Sequence, residues 1–416
     1  MTAVASRIET GPRLPAYALF AGVLSAAGLP IYIHAPKFYV DEYGVSLAAL
    51  GALLFGLRLL DVVQDPLLGR LASTLRAHRA GSVGLACVVI AAAMIGLFAI
   101  APPVAPALWF VLMLTLVFSA FSFLTISFYA QGVATAEHLG DAGHLRLARW
   151  RETGALLGVC LASVAPVAAL AVTDRPFALF AVLFAAFALW AMLAMRLEWS
   201  DGGAAPAPSG FRTVLRDPVA RRLLIIAFAN ATPVAISSTL FLFFVESRLE
   251  APGAEGPLLL LFFLAAAASA PVWGWLATRF GARRVLLAAM VMAILAFGGA
   301  ITLQAGDVKL FALICLASGA TLGADMTLLP AMFARRLAKV SPSAAEGFGL
   351  WSFVSKFTLA LAAVILLPAL EASGFAAGQD NTEQALWALT FGYAVLPCGC
   401  KLVAIALLAA TNIEER

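Results

Sequence analysis

Charge is what this chain has least of. Only 12% of its 416 residues are Asp, Glu, Lys or Arg, while 62% are hydrophobic. A soluble domain carries about 25% charged residues, so a water-soluble globular protein of this length is excluded. Too little polar surface would remain to cover it. Histidine (4 residues) and cysteine (5 residues) are also rare. Cys87, Cys160, Cys315, Cys398 and Cys400 all fall inside apolar runs, and no pair has a metal-ligand spacing. They read as small buried hydrophobes. No metal triad, nucleophile–base pair or phosphate-binding loop is legible, so an enzyme is not expected. The net charge of +4 sits in short loops rather than on one basic face, which argues against a nucleic-acid partner. Nor is a cleavable leader expected: residues 1–14 are polar, and the first apolar run is too long for a signal-peptide core.

Long apolar runs are abundant. Runs long enough to cross a bilayer, about 20 residues, lie near 15–39, 45–71, 82–101, 106–134, 148–173, 177–197, 219–246, 256–279, 284–304, 308–334, 346–371 and 383–411. The sequence therefore predicts an all-α membrane protein with twelve transmembrane helices. The longest polar interval, 198–218, contains Gly202-Gly-Ala-Ala-Pro-Ala-Pro-Ser-Gly210 and separates two six-helix halves, 1–197 and 219–416. With a cytoplasmic N-terminus, 20 of the 27 basic residues fall on the inner side. Lys37, Arg175, Arg248 and Lys309 fall outside, and Arg58, Lys356 and Lys401 lie within spans. This bias toward the inner side predicts that both termini are cytoplasmic.

One stretch breaks the apolar pattern. Arg58-Leu-Leu-Asp61-Val-Val-Gln64-Asp65-Pro66-Leu-Leu-Gly69-Arg70 places three charges inside span 2. Each costs roughly 2.5–3.5 kcal/mol at the centre of a spanning helix. Positions 58, 61 and 65 share one helical face, so other helices can solvate them together. An internal repeat isolates the feature. At an offset of 205 residues, Asp65-Pro-Leu-Leu-Gly69-Arg-Leu-Ala72 falls on Ala270-Pro-Val-Trp-Gly274-Trp-Leu-Ala277. Proline, glycine, leucine and alanine recur, yet Asp61 and Asp65 become Ala266 and Ala270. An aspartate kept only for structure would be expected to recur, so the acidic pair reads as a function of the first half. The same offset pairs Arg151 with Lys356, one cation from each half.

The motif Arg58-x-x-Asp61-x-x-x-Asp65-Pro66-x-x-Gly69 resembles the cation-site motif of the glycoside–pentoside–hexuronide:cation symporters, the melibiose-carrier family of the major facilitator superfamily. Phe38-Tyr-Val-Asp41-Glu-Tyr-Gly44 resembles the end of that family's first span. Arg151 with Gly158 resembles its fifth span, and Lys356 in Phe353-Val-Ser-Lys356 its eleventh. Gly274-Trp-Leu-Ala-Thr278-Arg279-Phe-Gly281-Ala-Arg283-Arg284 resembles the general major-facilitator loop, with Thr278 where an acid is usual. The resemblance implies two parallel six-helix halves working by alternating access around a central cavity. It implies that Asp61 and Asp65 hold the coupling ion, Na+ or H+, with Gln64 beside them and a span 4 oxygen, Ser122 or Thr125, completing the site. Arg58 is the expected charge partner. The same two aspartates would be the only metal ligands, and only for sodium; no other cofactor is implied.

Arg151, Lys356, Ser25, Tyr32, Tyr129 and Trp351 are the substrate candidates. The competing reading for Arg151 and Lys356 is ion pairing between helices, with Glu152 or Asp325 as partners. For Asp61 and Asp65 it is a salt bridge with Arg58 that only locks helices. Asp325 and Lys401 read as structural or snorkelling charges. Melibiose-type carriers have an aspartate where Ser25 stands, and Phe121-Ser-Phe-Leu-Thr-Ile-Ser-Phe-Tyr129 has neither the acid nor the tryptophan of their span 4. Cations and aromatics suit a glycoside with an apolar part, an organic anion or an amphiphile. The expectation is a monomeric, multi-pass symporter of a bacterial-type inner membrane, its partners being a small-molecule substrate and membrane lipid. A proton-coupled exporter of amphiphiles and a non-transporting assembly factor on the same fold are the alternatives.

Overall fold

A computed structural model describes residues 13–140, 142–199, 211–340, 344–376 and 380–411. Twelve long helices account for nearly all of them. The first six are α1 (Leu14–Tyr43), α2 (Leu47–Thr74), α3 (Arg79–Phe98), α4 (Pro106–Glu137), α5 (Gly143–Ala169) and α6 (Pro176–Met195). A short helix, Phe211–Arg216, follows the linker. Then come α7 (Pro218–Arg248), α8 (Glu255–Phe280), α9 (Ala282–Gly298), α10 (Val308–Val340), α11 (Ala344–Ala372) and α12 (Glu383–Ala409). Nine apolar runs among the described residues are long enough to cross a membrane. One of them, Ala52–Phe98, holds both α2 and α3, and α1 and α5 complete the twelve. In α5 the run is broken by Arg146, Arg149, Arg151 and Glu152. Large apolar side chains such as Leu85, Leu161, Leu193 and Leu295 stand exposed on the outside, where lipid replaces water. The chain is a multi-pass membrane protein.

Local chemistry sets the helix ends. In a bilayer every backbone polar group must be satisfied within the chain, so the breaks fall at capping residues. Gly44 closes α1 in the left-handed region at φ 66, where a side chain would be strained. Ser46 Oγ accepts from Ala49 N at the start of α2, and Thr382 Oγ1 accepts from Ala385 N at the start of α12. Proline opens α4 and α6, where its missing N–H costs nothing. A single π turn, Phe244–Arg248, ends α7, and another interrupts α12 at Phe391–Val395. The apolar pattern cannot reveal these, because a π turn changes the register without changing the composition.

Helix bounds repeat at the offset seen in the sequence. Shifting α1 by 205 gives 219–248, against Pro218–Arg248 for α7. Shifting α2 gives 252–279, against Glu255–Phe280 for α8, and Pro66 lands on Pro271 inside both helices. Small residues let the backbones approach. A Cβ on Gly154 of α5 would lie 2.0 Å from Ala18 O of α1, and one on Gly158 would lie 2.2 Å from Gly22 O. Gly319 and Gly323 of α10 meet Phe262 O and Ala266 O of α8 in the same manner. The two sets of six helices touch near the ends that carry the 198–218 linker. There Gly69 of α2 packs on Ala345 and Gly349 of α11, and Gly274 of α8 packs on Arg149 of α5.

Candidate functional site

Three helices bring their polar residues to one point. Asp61, Gln64 and Asp65 come from one face of α2, Ser119 and Ser122 from one face of α4, and Lys356 from α11. Lys356 Nζ lies 2.7 Å from Asp61 Oδ1, 3.0 Å from Asp65 Oδ1 and 2.6 Å from Ser122 Oγ. Ser122 Oγ donates in turn to Asp61 Oδ1 at 3.2 Å. Gln64 Nε2 donates to the same oxygen at 3.1 Å, and Ser119 Oγ donates to Gln64 Oε1 at 2.9 Å. Asp61 Oδ1 thus takes three donors, whereas Asp65 Oδ2 is buried with none. Ser352, one turn before Lys356 on α11, stands on the Asp65 side.

The cluster is sealed. The side chains of Asp65, Asp61 and Lys356 are 0%, 5% and 12% exposed. Two carboxylates against one ammonium leave a formal charge of −1 among these three side chains. A buried acceptor without a partner costs about 1–3 kcal/mol, and charges out of water must be paired. The donor set suits a small monovalent cation. Asp61 Oδ1, Asp65 Oδ1 and Ser122 Oγ already surround one position, and that position is filled by a tethered ammonium.

A second cluster is built around Tyr129 of α4 and Arg151 of α5. Arg151 Nε donates to Glu152 Oε1 at 2.8 Å, and Tyr129 OH donates to the same oxygen at 3.0 Å. The guanidinium carbon lies 3.7 Å from the Tyr129 ring centroid, a stacking that Arg makes better than Lys. Arg151 Nη2 is buried without a partner. The Tyr129 ring packs against Phe348 of α11 with centroids 4.9 Å apart.

The structure places the residues named from the sequence. Lys356, a substrate candidate there, stands on the carboxylates: α11 packs directly on α2, so its lysine reaches Asp61 and Asp65. Arg151 pairs with Glu152 on its own helix, and Asp325 pairs with Lys401, not with Lys356. Of the two span 4 oxygens, Ser122 joins the cluster; Thr125 Oγ1 is buried without a hydrogen bond. Ser25 is half-buried on α1, and Trp351 packs on Phe333 at 5.0 Å. The side chains of Tyr32 and Arg58 lie outside the described residues. Sequence reasoning missed Ser119 and Ser352. Both sit one helical turn before a named site residue, Ser122 or Lys356, and that spacing was the available signal.

The family model described as MFS/sugar transport protein matches residues 16–415. Among curated proteins none matches the chain. Among solved structures, a bacterial homologue of the iron transporter ferroportin in an outward-facing state is similar, with TM-score 0.68 and 14% identity over 96% of this chain and 99% of that one. The E. coli fucose:proton symporter gives 0.65 at 16% identity, over 95% and 97%. A human organic anion transporter gives 0.62 at 16% identity, over 95% and 98%. At these identities the likeness is one of fold, the major facilitator arrangement of twelve helices.

Proposed function

The chain belongs to the MFS/sugar transport protein family, and from that premise we propose that it is a symporter driven by a monovalent cation or proton bound at Asp61 and Asp65. The observation that carries this reading is the ring of three oxygens around Lys356 Nζ. Lys356 belongs to α11, whereas its partners belong to α2 and α4, so the ammonium ties the two sets of helices together. An entering Na+ takes the same oxygens and releases Lys356. A proton on Asp65 acts similarly, by removing one of the two charges that hold it. Either ligand favours the arrangement in which Lys356 is free, and differential affinity for two arrangements is what coupling requires.

The solute is an organic molecule with an anionic or strongly polar group. Arg151 supports this: its buried Nη2 has no partner, and its guanidinium is held flat on Tyr129. Ser25 in place of an acid removes the bidentate acceptor that a plain sugar needs. The resemblance to the melibiose carriers therefore concerns the ion site more than the solute site. In this reading the membrane is a bacterial-type inner membrane, with the linker and both termini on the cytoplasmic side. A proton-driven exporter is the second reading. It is favoured by the formal charge of −1 on Asp61, Asp65 and Lys356, which one proton would cancel.

Thermal stability of the purified protein in detergent tests the ion site. Sodium, lithium and potassium are compared at constant ionic strength and two pH values. Saturation near 100 times Kd stabilises by about 2.7 kcal/mol. Sodium stabilisation that disappears in Asp65→Asn is the expected result. A pH response that the same variant abolishes assigns the proton, and vesicle flux then separates symport from export by its direction. Stability indifferent to ions and pH would sink the coupling site and bring forward a non-transporting role.

A further inference from the structure

Away from the α2–α4–α11 cluster, the last six helices hold another buried ion pair, and it lines a cavity. Lys401 of α12 pairs with Asp325 Oδ2 of α10 and donates to Asn230 Oδ1 of α7 at 2.7 Å. The two charged side chains are 5% and 10% exposed. Asp325 Oδ1 is buried and has no partner. Beside them lies a cavity of about 70 Å³ whose other walls include Ser237, Thr321, Phe262 and Phe297. Water needs roughly 10–15 Å³ of such space and 2–4 polar partners, so several molecules fit at the polar end. The pair is a property of this half alone. At the 205-residue offset, Asn230 falls on Ser25, Asp325 on Ala120 and Lys401 on Arg196 at the end of α6.

Helix packing alone does not explain such a pair. Burying two charges costs several kcal/mol per ion, and well-packed apolar residues serve as well or better. Ionisable groups inside a membrane mark ion and proton paths by default. We propose that Asp325, with Lys401 as its fixed counter-ion, forms a proton-binding site in the second six helices that is separate from Asp61 and Asp65. A proton arriving as hydronium along the cavity water passes to Asp325 Oδ1; one hydronium O–H bond breaks and leaves a neutral water, one carboxyl O–H bond forms, and the pair goes from neutral to a net charge of +1. Lys401 keeps Asn230 but loses its ionic hold on Asp325, so the tie between α10 and α12 loosens. Among the described residues, Cys398 of α12 is the one other titratable group on the cavity wall. From α7 the wall receives Pro233, Val234 and Ser237, from α8 Phe262, and from α9 Ala293, Ile294 and Phe297, none of them charged.

The test is infrared difference spectroscopy of the full-length protein in detergent, recorded against pH. An Asp61→Asn/Asp65→Asn background removes the first cluster from the signal. The expected result is a carboxyl C=O band that titrates in this background and is lost on adding Asp325→Asn. Lys401→Met must displace the midpoint of that band toward higher pH by at least about one unit, because the neighbouring cation that favours the charged form is gone. Asp325→Glu, which keeps the charge should Asp325→Asn fail to fold, must retain a titrating band at an altered frequency. A band indifferent to Asp325→Asn or Asp325→Glu, or a midpoint unmoved by Lys401→Met, would make the pair a fixed strut and overturn the proposal.

Discussion

At the scale of single residues, the two carboxylates of α2 are unequal. Asp61 Oδ1 accepts from Lys356, Gln64 and Ser122, while Asp65 shares Lys356 and keeps one buried oxygen without a donor. In the proposed ion site Lys356 is an internal competitor, because it holds the oxygens that the ion would take. Lys356→Met is expected to tighten apparent cation affinity about tenfold, equivalent to about 1.4 kcal/mol, since no ammonium need be displaced. Without ions the same variant should be less stable by about 3–5 kcal/mol, the cost of leaving buried charges unpaired. A melting-temperature titration with Na+ reads both effects, and an unchanged affinity would show that Lys356 does not compete. Asp61 and Asp65 stood out because charge in an apolar run is costly and their spacing puts them on one face, whereas Gln64 was named only through the family resemblance. The destination of Lys356 was not. Sequence gives the position of a lysine along α11, but only the packing of α11 against α2 decides which acid it meets. For Arg151 the adjacent Glu152 captured the guanidinium, a contact that helical spacing does not favour and that depends on rotamer and burial.

At the scale of elements, apolar length carried most of the information, because a bilayer admits few solutions other than helices. Predicted span 106–134 became Pro106–Glu137, and 346–371 became Ala344–Ala372. The π turns in α7 and α12 and the short helix Phe211–Arg216 escaped, since local register and tertiary contact set them. The α1–α5 seam depends on the absence of side chains. Gly154→Ala puts a methyl 2.0 Å from the Ala18 carbonyl, a backbone atom that cannot rotate away. Overpacking of this kind costs about 1–3 kcal/mol, and the variant should melt earlier, whereas Gly256→Ala, where nothing stands within 4 Å, should not. A second tie joins the start of α7 to the far end of α10. Asp217 caps Ala220 N and takes a two-pronged contact from Arg336. The Arg336 hydrogen bond holds the Asp217 carboxyl below the usual carboxylate range. Because the native value lies below the unfolded one of about 3.9, this stabilisation is complete above about pH 4. It is lost as pH falls through the native value. Asp217→Asn keeps a capping acceptor but not the charge. It should lower stability by about 1–2 kcal/mol at neutral pH, with the difference from wild type closing as pH falls through the native value; a gap that persists in acid would assign the loss to the cap.

At the scale of the whole molecule, the question is what keeps the linker-side ends of the two helix sets together. Gly69 against Gly349 and Gly274 against Arg149 are close steric contacts with no chemical switch. His144 can supply one. It lies in the first turn of α5, ahead of the apolar run that begins near 148, and the charged groups acting on it are Arg335 of α10, in the other set, and Arg151. Burial, then Arg335 and Arg151, push its pKa down to about 4. The free imidazole titrates near 6.5, so the closed arrangement binds fewer protons than one in which His144 is solvated. By linkage the closed arrangement is fully favoured above about pH 6.5 and loses that advantage as pH falls toward about 4. The added charge would face Arg335 across the closure and repel it. Spin labels at the exposed positions His78 and Arg284, one in each helix set, can report this in a background lacking the five native cysteines. Between pH 7.5 and about pH 5 the distance distribution should gain a longer component. His144→Gln, neutral at every pH, should remove most of that gain while leaving the distribution at pH 7.5 unchanged. A gain that survives His144→Gln would transfer the pH sensitivity to the carboxylate clusters within the membrane and leave the linker-side closure held by packing alone.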